Sequence, residues 1–223
     1  MPINKAQSVV QFYVLCNHLK NLIRRGWKVW NVKRERIESV AEHIFGVQSL
    51  AIAIWSQYSY NIDIKKVILM LALHEMEEIS IGDMIFCDIK KQDKQTKGHQ
   101  AIKIVLQDLI KKDEIESLIL EFDERKTPEA KFAYCCDKLE CDLQCKLYDE
   151  EKCVDLTKQE NNPATQDKTV STLLQQNYSW SEMWLEFGRR KYPYDKNFRA
   201  ISKYAEKQKL LTNLAKTNKT NQK

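Results

Sequence analysis

The sequence predicts an all-α fold, and three observations support this. Glycine and proline are scarce: 5 Gly and 4 Pro in 223 residues supply few of the turns that a many-stranded sheet needs. Apolar residues recur at spacings of three and four along most of the chain. Helix-start signals precede several of these segments. Together the three observations indicate an all-α domain.

The first predicted helix covers residues 5–24. Arg24, Arg25 and Gly26 are expected to close it. Its apolar face consists of Val9, Phe12, Tyr13, Cys16, Leu19, Leu22 and Ile23. The connection that follows, "GWKVWNVKRERIES", is long and irregular for a helical protein, which is typical of a functional loop.

Two helices with clear N-terminal signals come next. Ser39 and Glu42 have the spacing of a capping box at the start of "VAEHIFGVQSLAIAIWSQY". Asp63 is a suitable N-cap for a third helix that is expected to reach Ile79. Both predictions rest on side chains that can accept hydrogen bonds from the first free N–H groups of a helix.

The second half of the chain continues the helical pattern. A helix is predicted over residues 100–111, and Thr127 with Pro128 marks the start of another, "TPEAKFAYCCDKLECDLQCKLYDEE". The polar stretch at residues 157–168 is interpreted as a loop. Two further helices are predicted, over residues 169–188 and 194–212.

Length and composition favour one domain, expected to span residues 1–212. Hydrophobic residues make up 43% and charged residues 30%, the balance of a soluble globular protein. Residues 213–223, rich in Lys, Asn and Thr, are expected to form a disordered tail. No apolar run approaches the ~20 residues of a membrane span, and no signal peptide is recognised. A cytoplasmic protein is expected.

The cysteines and the net charge argue against certain classes of protein. The seven cysteines are odd in number, and four of them lie in one helical pattern: Cys135, Cys136, Cys141 and Cys145. We interpret them as small core residues in a reducing compartment. The net charge of +5 is modest and partly concentrated in the tail "KTNKTNQK". This argues against a nucleic-acid-binding role.

The segment "LALHEMEEISIGDM", residues 71–84, places an unusual amount of charge after an apolar helix. His74, Glu75, Glu77 and Glu78 lie within five positions. One interpretation is an exposed C-terminal turn. However, negative charge at a helix C-terminus is disfavoured by the helix dipole. The other interpretation is that these carboxylates are buried. A buried carboxylate costs several kcal/mol without a partner, so this interpretation requires a cation or a metal nearby.

Two more residues complete a candidate metal site. His43 follows Glu42 near the start of a helix, and Asp137 flanks the core stripe of a later helix. Alone, this histidine is explained as a core or capping residue, and this aspartate as a solvent-facing one. With His74 and Glu75, however, they supply two imidazoles and two carboxylates from three helices. That set suits a divalent transition metal.

The order of these motifs resembles the HD-domain metal-dependent phosphohydrolases, specifically their 5'-deoxynucleotidase-like branch. The resemblance covers roughly residues 10–150 and rests on a His after "SVAE", on "HEMEEISIGD" and on "DKLECD". It implies a single-domain HD-type helical bundle. It also implies one divalent transition metal ion, of manganese, cobalt, iron, nickel or zinc, with four ligands: His43, His74, Glu75 and Asp137.

The resemblance implies further roles around the metal. Glu78 corresponds to the water-activating acid, and Asp83 to the residue that faces the substrate sugar. Arg24 corresponds best to the phosphate-binding arginine, with the adjacent Arg25 as the alternative, and Trp27 would then lie beside the nucleotide pocket. The sequence departs from the family at one ligand: Glu75 stands where the family has aspartate.

The function expected from this resemblance is hydrolysis of a nucleoside 5'-monophosphate, favouring deoxynucleotides, to nucleoside and phosphate. Neither GxxxxGK[ST] nor GxGxxG occurs, which argues against ATP-driven transfer. Two alternatives stay open. One is another HD-family activity on a guanosine pyrophosphate or a cyclic nucleotide, and the other is a non-catalytic nucleotide- or protein-binding module. The expected partner is a small-molecule nucleotide, and a homodimer is left open.

Overall fold

The computed structural model describes residues 4–84 and 91–211, with the backbone alone for residues 91–95. The secondary structure of these residues is helical, apart from one isolated antiparallel bridge that joins Ile23 to Ser39. The all-α prediction is confirmed. The tail predicted at 213–223 lies outside the described residues. Across the described ranges, no helix is both long and apolar enough to cross a membrane.

The helices have the following bounds. The α-helices are α1 (Lys5–Asn17), α2 (Arg25–Val29), α3 (Val40–Gln57), α4 (Ile64–Leu73), α5 (Glu78–Ile81), α6 (Lys91–Leu106), α7 (Lys112–Glu124), α8 (Pro128–Glu150), α9 (Lys168–Gln175), α10 (Trp180–Lys191) and α11 (Lys196–Lys207). Short 3₁₀ turns cover His18–Lys20, Leu156–Lys158 and Pro163–Gln166. Two of these turns lie in the predicted loop at 157–168 or at its edge.

The first helix is shorter than predicted. It ends at Asn17, whose side-chain amide donates back to the Tyr13 carbonyl one turn earlier at 2.9 Å. The prediction that Arg24 and Arg25 close this helix is wrong, because Arg24 precedes α2 and Arg25 begins it. The irregular connection predicted after Gly26 therefore opens with helix α2.

The third helix begins as predicted but ends early. The Asp63 side chain accepts hydrogen bonds from the first N–H groups of α4, yet α4 ends at Leu73 instead of Ile79. The Met76 N–H then bonds to the Leu73 carbonyl at 3.0 Å, and the Glu78 N–H to the Glu75 carbonyl at 3.1 Å. These three-residue spacings define tight turns, which separate α4 from α5.

Other predicted elements are confirmed or corrected by local signals. Both hydrogen bonds of the Ser39–Glu42 capping box are present at the start of α3. Pro128 begins α8, and the Thr127 hydroxyl accepts from the Ala130 N–H at 3.2 Å. The helix predicted at 100–111 is part of α6, which begins at Lys91 and ends at Leu106, and α7 was not predicted at all.

The helix predicted at 169–188 is two helices, α9 and α10. Asn177 adopts a left-handed conformation with φ of 63°, which interrupts the helical ladder. Ser179 and Glu182 then form a capping box that starts α10. The last predicted helix, at 194–212, is observed as α11 and is shorter at both ends.

The chain separates into two compact units. The first comprises Met1–Lys28 and Ile37–Cys136, and the second comprises Val29–Arg36 and Asp137–Lys223. Helix α8 contributes residues 128–136 to the first unit and 137–150 to the second. A single domain spanning 1–212 stays a prediction.

The core of the first unit is formed by α3, α4, α6 and α7. Along α3 the buried positions are Val40, His43, Val47, Ala51 and Ile54, spaced three or four residues apart. This is the stripe by which an amphipathic helix packs on its neighbours, here mainly α4. His43 therefore occupies a core position. A second cluster of apolar side chains joins α4 to α6 and α7: Leu73, Met76, Ile102, Val105, Leu106 and Ile119.

The second unit is built on α10, which packs on α9 and α11. A carboxylate is buried within it: Asp142 is 1% exposed and accepts a hydrogen bond from the Tyr194 hydroxyl at 2.9 Å. Burial raises the pKa of Asp142 well above its ordinary value, against the opposing effects of the Tyr194 hydrogen bond and the Arg189 charge. The carboxylate lies against Gly188, where a β-carbon would overlap its Oδ2 atom.

Candidate metal centre

Two imidazoles of the first unit meet in its core. His43 is fully buried on α3, and His74 is the C-cap residue of α4 and 5% exposed. Their ring centroids are 5.5 Å apart. The Phe122 ring packs edge-on against the His74 ring, with centroids 5.3 Å apart, and so fixes one side of it. Sequence analysis did not single out Phe122, since no motif marks its position.

The tautomer of His74 follows from its hydrogen bond. Nδ1 lies 2.8 Å from the Leu71 carbonyl oxygen, which can only accept a hydrogen bond. Nδ1 therefore carries the proton, and the lone pair of neutral His74 is on Nε2. A backbone carbonyl that holds Nδ1–H is the usual support of a metal-ligating histidine.

Glu75 brings a carboxylate to both imidazoles. Its Oε1 atom lies 3.6 Å from His43 Nε2 and 3.7 Å from His74 Nε2. These three ligand atoms lie within 4.8 Å of one another, and all three residues are buried. Ligand atoms held at ~2.1 Å from one ion are separated by roughly 3.0–3.4 Å. The observed separations are only slightly longer, and a mixed nitrogen and oxygen set suits a transition metal.

Arg24 and Asp83 adjoin the cluster. Arg24 Nη1 donates to Glu75 Oε1 at 3.0 Å, and Arg24 Nε is 3.9 Å from Asp83 Oδ2. The backbone N–H of Arg25 donates to that Asp83 oxygen at 2.6 Å. The structure thus brings the Arg24 guanidinium to Glu75, while Arg25 is exposed and contacts Asp83 through its backbone. Between the two candidates for a phosphate ligand, this geometry favours Arg24.

Glu78 lies beyond the turn that separates α4 from α5. It is the first residue of α5 and is 1% exposed, so its carboxylate is within the protein interior. Glu77 is less buried, and its side chain packs against α6, where a β-carbon on Gly98 would be 3.3 Å from Glu77 Cγ. The two neighbouring glutamates therefore have different environments, and only Glu78 is fully inside.

Trp27 and Asp137 are both buried. The Trp27 indole N–H donates to Glu38 Oε2 at 2.7 Å, so its polar edge is engaged by a residue that sequence analysis did not select. Asp137, in the second unit, is 3% exposed, and its Oδ2 lies 2.8 Å from Lys138 Nζ. Burial lowers the pKa of Lys138, but the charge and hydrogen bond of Asp137, together with the nearby Tyr192 and Cys141 groups, raise it above the ordinary value. The roles of Trp27 beside the nucleotide and of Asp137 as a ligand stay predictions.

Comparison with known proteins identifies a family to which the sequence of this chain is similar. The model of the family described as "HD domain" matches residues 16–176. The human protein named 5'-deoxynucleotidase HDDC2 is 30% identical over 149 residues, which is 65% of this chain and 70% of that protein. The Schizosaccharomyces pombe protein named 5'-deoxynucleotidase hdd1 is 28% identical over 152 residues, covering 65% and 74% of the two chains.

Two solved structures have a similar fold. A protein of Pyrococcus horikoshii has a TM-score of 0.63 at 22% identity, covering 90% of this chain and 99% of its own. A predicted metal-dependent phosphohydrolase of Magnetospirillum magnetotacticum has a TM-score of 0.60 at 20% identity, covering 92% of both chains. At these identities the likeness concerns the arrangement of helices.

Proposed function

The chain belongs to the HD-domain family, and from this premise we propose that it is a metal-dependent phosphohydrolase of nucleoside 5'-monophosphates. The products would be nucleoside and inorganic phosphate, with deoxynucleotides as the favoured substrates. The curated relatives support this choice, because they are named as 5'-deoxynucleotidases and are covered over about 70% of their length. The observation that carries the proposal is the meeting of His43, His74 and Glu75 beside the Arg24 guanidinium.

We propose His43, His74, Glu75 and Asp137 as the residues that hold one divalent ion. Nitrogen and carboxylate donors suit manganese, cobalt, iron, nickel and zinc alike, so the donor set leaves the choice among them open. When bound, the ion supplies Lewis-acid chemistry: it makes water more acidic and polarises a phosphoryl oxygen. For His74, the hydrogen bond to the Leu71 carbonyl keeps Nε2 available as the donor atom.

Arg24 and Glu78 are assigned the two charged roles in hydrolysis. The planar guanidinium of Arg24 can donate two parallel hydrogen bonds to a phosphate and offset the charge on its equatorial oxygens. Glu78 would accept the proton of the attacking water, a role that its buried carboxylate can fill because it is shielded from bulk solvent. Asp83 is assigned to the substrate sugar and Trp27 to the side of the nucleotide pocket.

The cellular setting follows from the same proposal. The six cysteines in the described ranges are free thiols, as expected in a reducing compartment such as the cytoplasm. Small-molecule nucleotides would be the partners, in place of nucleic acid or a membrane.

The experiment is phosphate release from all deoxy- and ribonucleoside 5'-monophosphates, each with manganese, cobalt, magnesium or no added metal. We expect metal-dependent release that is strongest with deoxynucleotides. The panel includes a guanosine pyrophosphate and a cyclic nucleotide, so that a different specificity is detected directly. His74→Ala is the control for contaminating phosphatases. If the parent protein releases no more phosphate than His74→Ala with any metal, the proposed function is wrong.

A further inference from the structure

One oxygen atom of the site is shared by three groups. Glu75 Oε1 accepts the hydrogen bond from Arg24 Nη1 at 3.0 Å, and the same atom faces the Nε2 atoms of both imidazoles at 3.6 and 3.7 Å. The carboxylate that is proposed to bind the metal therefore also holds the guanidinium that is proposed to bind phosphate. The two side chains are 13% and 11% exposed, so solvent screens this ion pair far less than a surface pair.

The backbone at Arg24 is fixed independently of Glu75. The Arg24 N–H donates to the Glu38 carbonyl at 3.0 Å, and the Val40 N–H donates to the Leu22 carbonyl at 2.8 Å. These bonds tie the base of Arg24 to the start of α3, the helix that carries His43. The freedom that is left lies in the side chain, which has about 2 kcal/mol of rotamer entropy to lose. Contacts at the guanidinium end decide where that charge points.

The length of the residue at position 75 matters for this contact. Removing one methylene group would draw the carboxylate back by about 1.5 Å, the length of a carbon–carbon bond. An N···O separation of 3.0 Å would then exceed about 4 Å, outside hydrogen-bonding range, unless the arginine followed. Asp83, whose oxygen is 3.9 Å from Arg24 Nε, would be left as the nearer carboxylate.

We infer that Glu75 is a positioning residue for Arg24 in addition to its role at the metal. Its longer side chain reaches the guanidinium and orients it toward the substrate phosphate, so phosphate affinity depends on the length of residue 75. This inference rests on the proposed function, and it gives a physical reason for the glutamate that replaces the aspartate expected there. A shorter carboxylate keeps the metal and loses the alignment of Arg24.

A double-mutant cycle with Glu75→Asp and Arg24→Met tests this inference. The probe is inorganic phosphate, whose affinity for the manganese-loaded proteins is measured by calorimetry, with manganese content determined in parallel. We expect Glu75→Asp to retain manganese and to weaken phosphate binding by about tenfold, and Arg24→Met to weaken it by about 10²-fold. The double variant should match Arg24→Met, because residue 75 then has no guanidinium to align. Wherever turnover is measurable, Glu75→Asp should raise KM more than it lowers kcat.

The double-mutant cycle distinguishes an effect of residue 75 on the position of Arg24 from an effect on the bound metal ion. If Glu75→Asp acted on phosphate through the ion, its tenfold effect would persist with Met at position 24, and the inference would be overturned. Loss of manganese from Glu75→Asp would also overturn it, because the two roles of residue 75 could not then be separate. Lys28→Met is the matched control: it removes one exposed positive charge from α2 and should leave phosphate affinity unchanged.

A second measurement does not depend on metal or substrate. Urea unfolding of the four proteins in a chelator should show that the destabilisation of the double variant is less than the sum of the single ones, as expected for a direct ion pair. Additive effects would exclude an Arg24–Glu75 interaction and overturn the inference. A parent protein that binds phosphate with intact coupling but hydrolyses no monophosphate would refute the proposed function and leave the pairing in place.

Discussion

Replacing Gly188 with alanine is predicted to destabilise the second unit, although the same change normally favours a helix. Alanine in the interior of α10 would gain about 1 kcal/mol in helix propensity. Its β-carbon, however, would overlap Asp142 Oδ2 and lie 3.0 Å from Asp142 Cγ, so the carboxylate would have to shift. The carboxylate is 1% exposed and has no room to move into solvent.

The magnitude follows from these contacts. Forcing an extra methyl group into a packed interior costs about 1–3 kcal/mol. Displacing Asp142 also disrupts its 2.9 Å hydrogen bond from the Tyr194 hydroxyl. A typical hydrogen bond contributes about 0.5–1.5 kcal/mol. After subtraction of the propensity gain, we expect a loss of about 1–3 kcal/mol in the free energy of unfolding, and a melting temperature lower by roughly 2–12 °C.

Urea and thermal unfolding measure this loss, and a second glycine supplies the control. Gly26 also lies in a helix, α2, but apart from its chain neighbours and the backbone of that helix, no atom of the described residues comes within 4 Å of the position of its β-carbon. Gly26→Ala should therefore be neutral or slightly stabilising. If Gly188→Ala is as stable as the parent protein, Asp142 does not pack tightly against α10. Combining Gly188→Ala with Asp142→Ala should give less than the sum of the two losses, because the methyl group can occupy the vacated space.

Three further predictions concern the metal centre and the buried acid. His74→Ala and Asp137→Ala should each lose bound metal and most phosphate release while remaining folded, as metal analysis and circular dichroism would reveal; full metal content in either rules out that ligand. Glu78→Gln should keep its metal and lose turnover by roughly 10²-fold, because the amide cannot accept the water proton; an unchanged rate assigns the base elsewhere. Asp142→Asn should gain stability relative to the parent as the pH rises above ~4. The raised native pKa of Asp142 means that the folded parent holds this proton more tightly than the unfolded chain, so its free energy of unfolding falls with pH. A pH-independent difference in urea midpoints would contradict this.

The parts of the fold that could be predicted are those determined by neighbouring residues. The Ser39–Glu42 capping box and the Thr127–Pro128 start of α8 each depend on side chains within three residues of a helix end, and both are confirmed. The ends of α1 and α4 were misplaced because neither glycine nor proline marks them. The turn after Leu73 is set by packing against α6 and α7, which no local pattern reports.

In the candidate site, too, the features predicted from sequence are local, and those that were missed depend on distant residues. His74 and Glu75 are adjacent in sequence. The unusual charge after an apolar helix was enough to select both as candidate metal ligands. The contact between Arg24 and Glu75 joins residues 51 positions apart, so no local pattern could predict that contact. Phe122 against His74 and Glu38 against Trp27 were missed for the same reason: an isolated aromatic or acidic residue carries no information about a distant partner.

The early end of α4 has a consequence for protein engineering. The backbone turns at residues 74–78 through hydrogen bonds spaced three residues apart. In this turn the side chains of the adjacent residues His74 and Glu75 point to the same place, with Nε2 and Oε1 3.7 Å apart. Routine stabilisation of a helical protein replaces residues of poor helix propensity with better ones. His74 is the only one of residues 74–78 with modest helix propensity, and replacing it would favour the extension of α4 as a regular helix, in which neighbouring side chains diverge by about 100°. A thermostable variant should therefore be sought on exposed faces of α6, α7 and α11, with these five residues left unchanged.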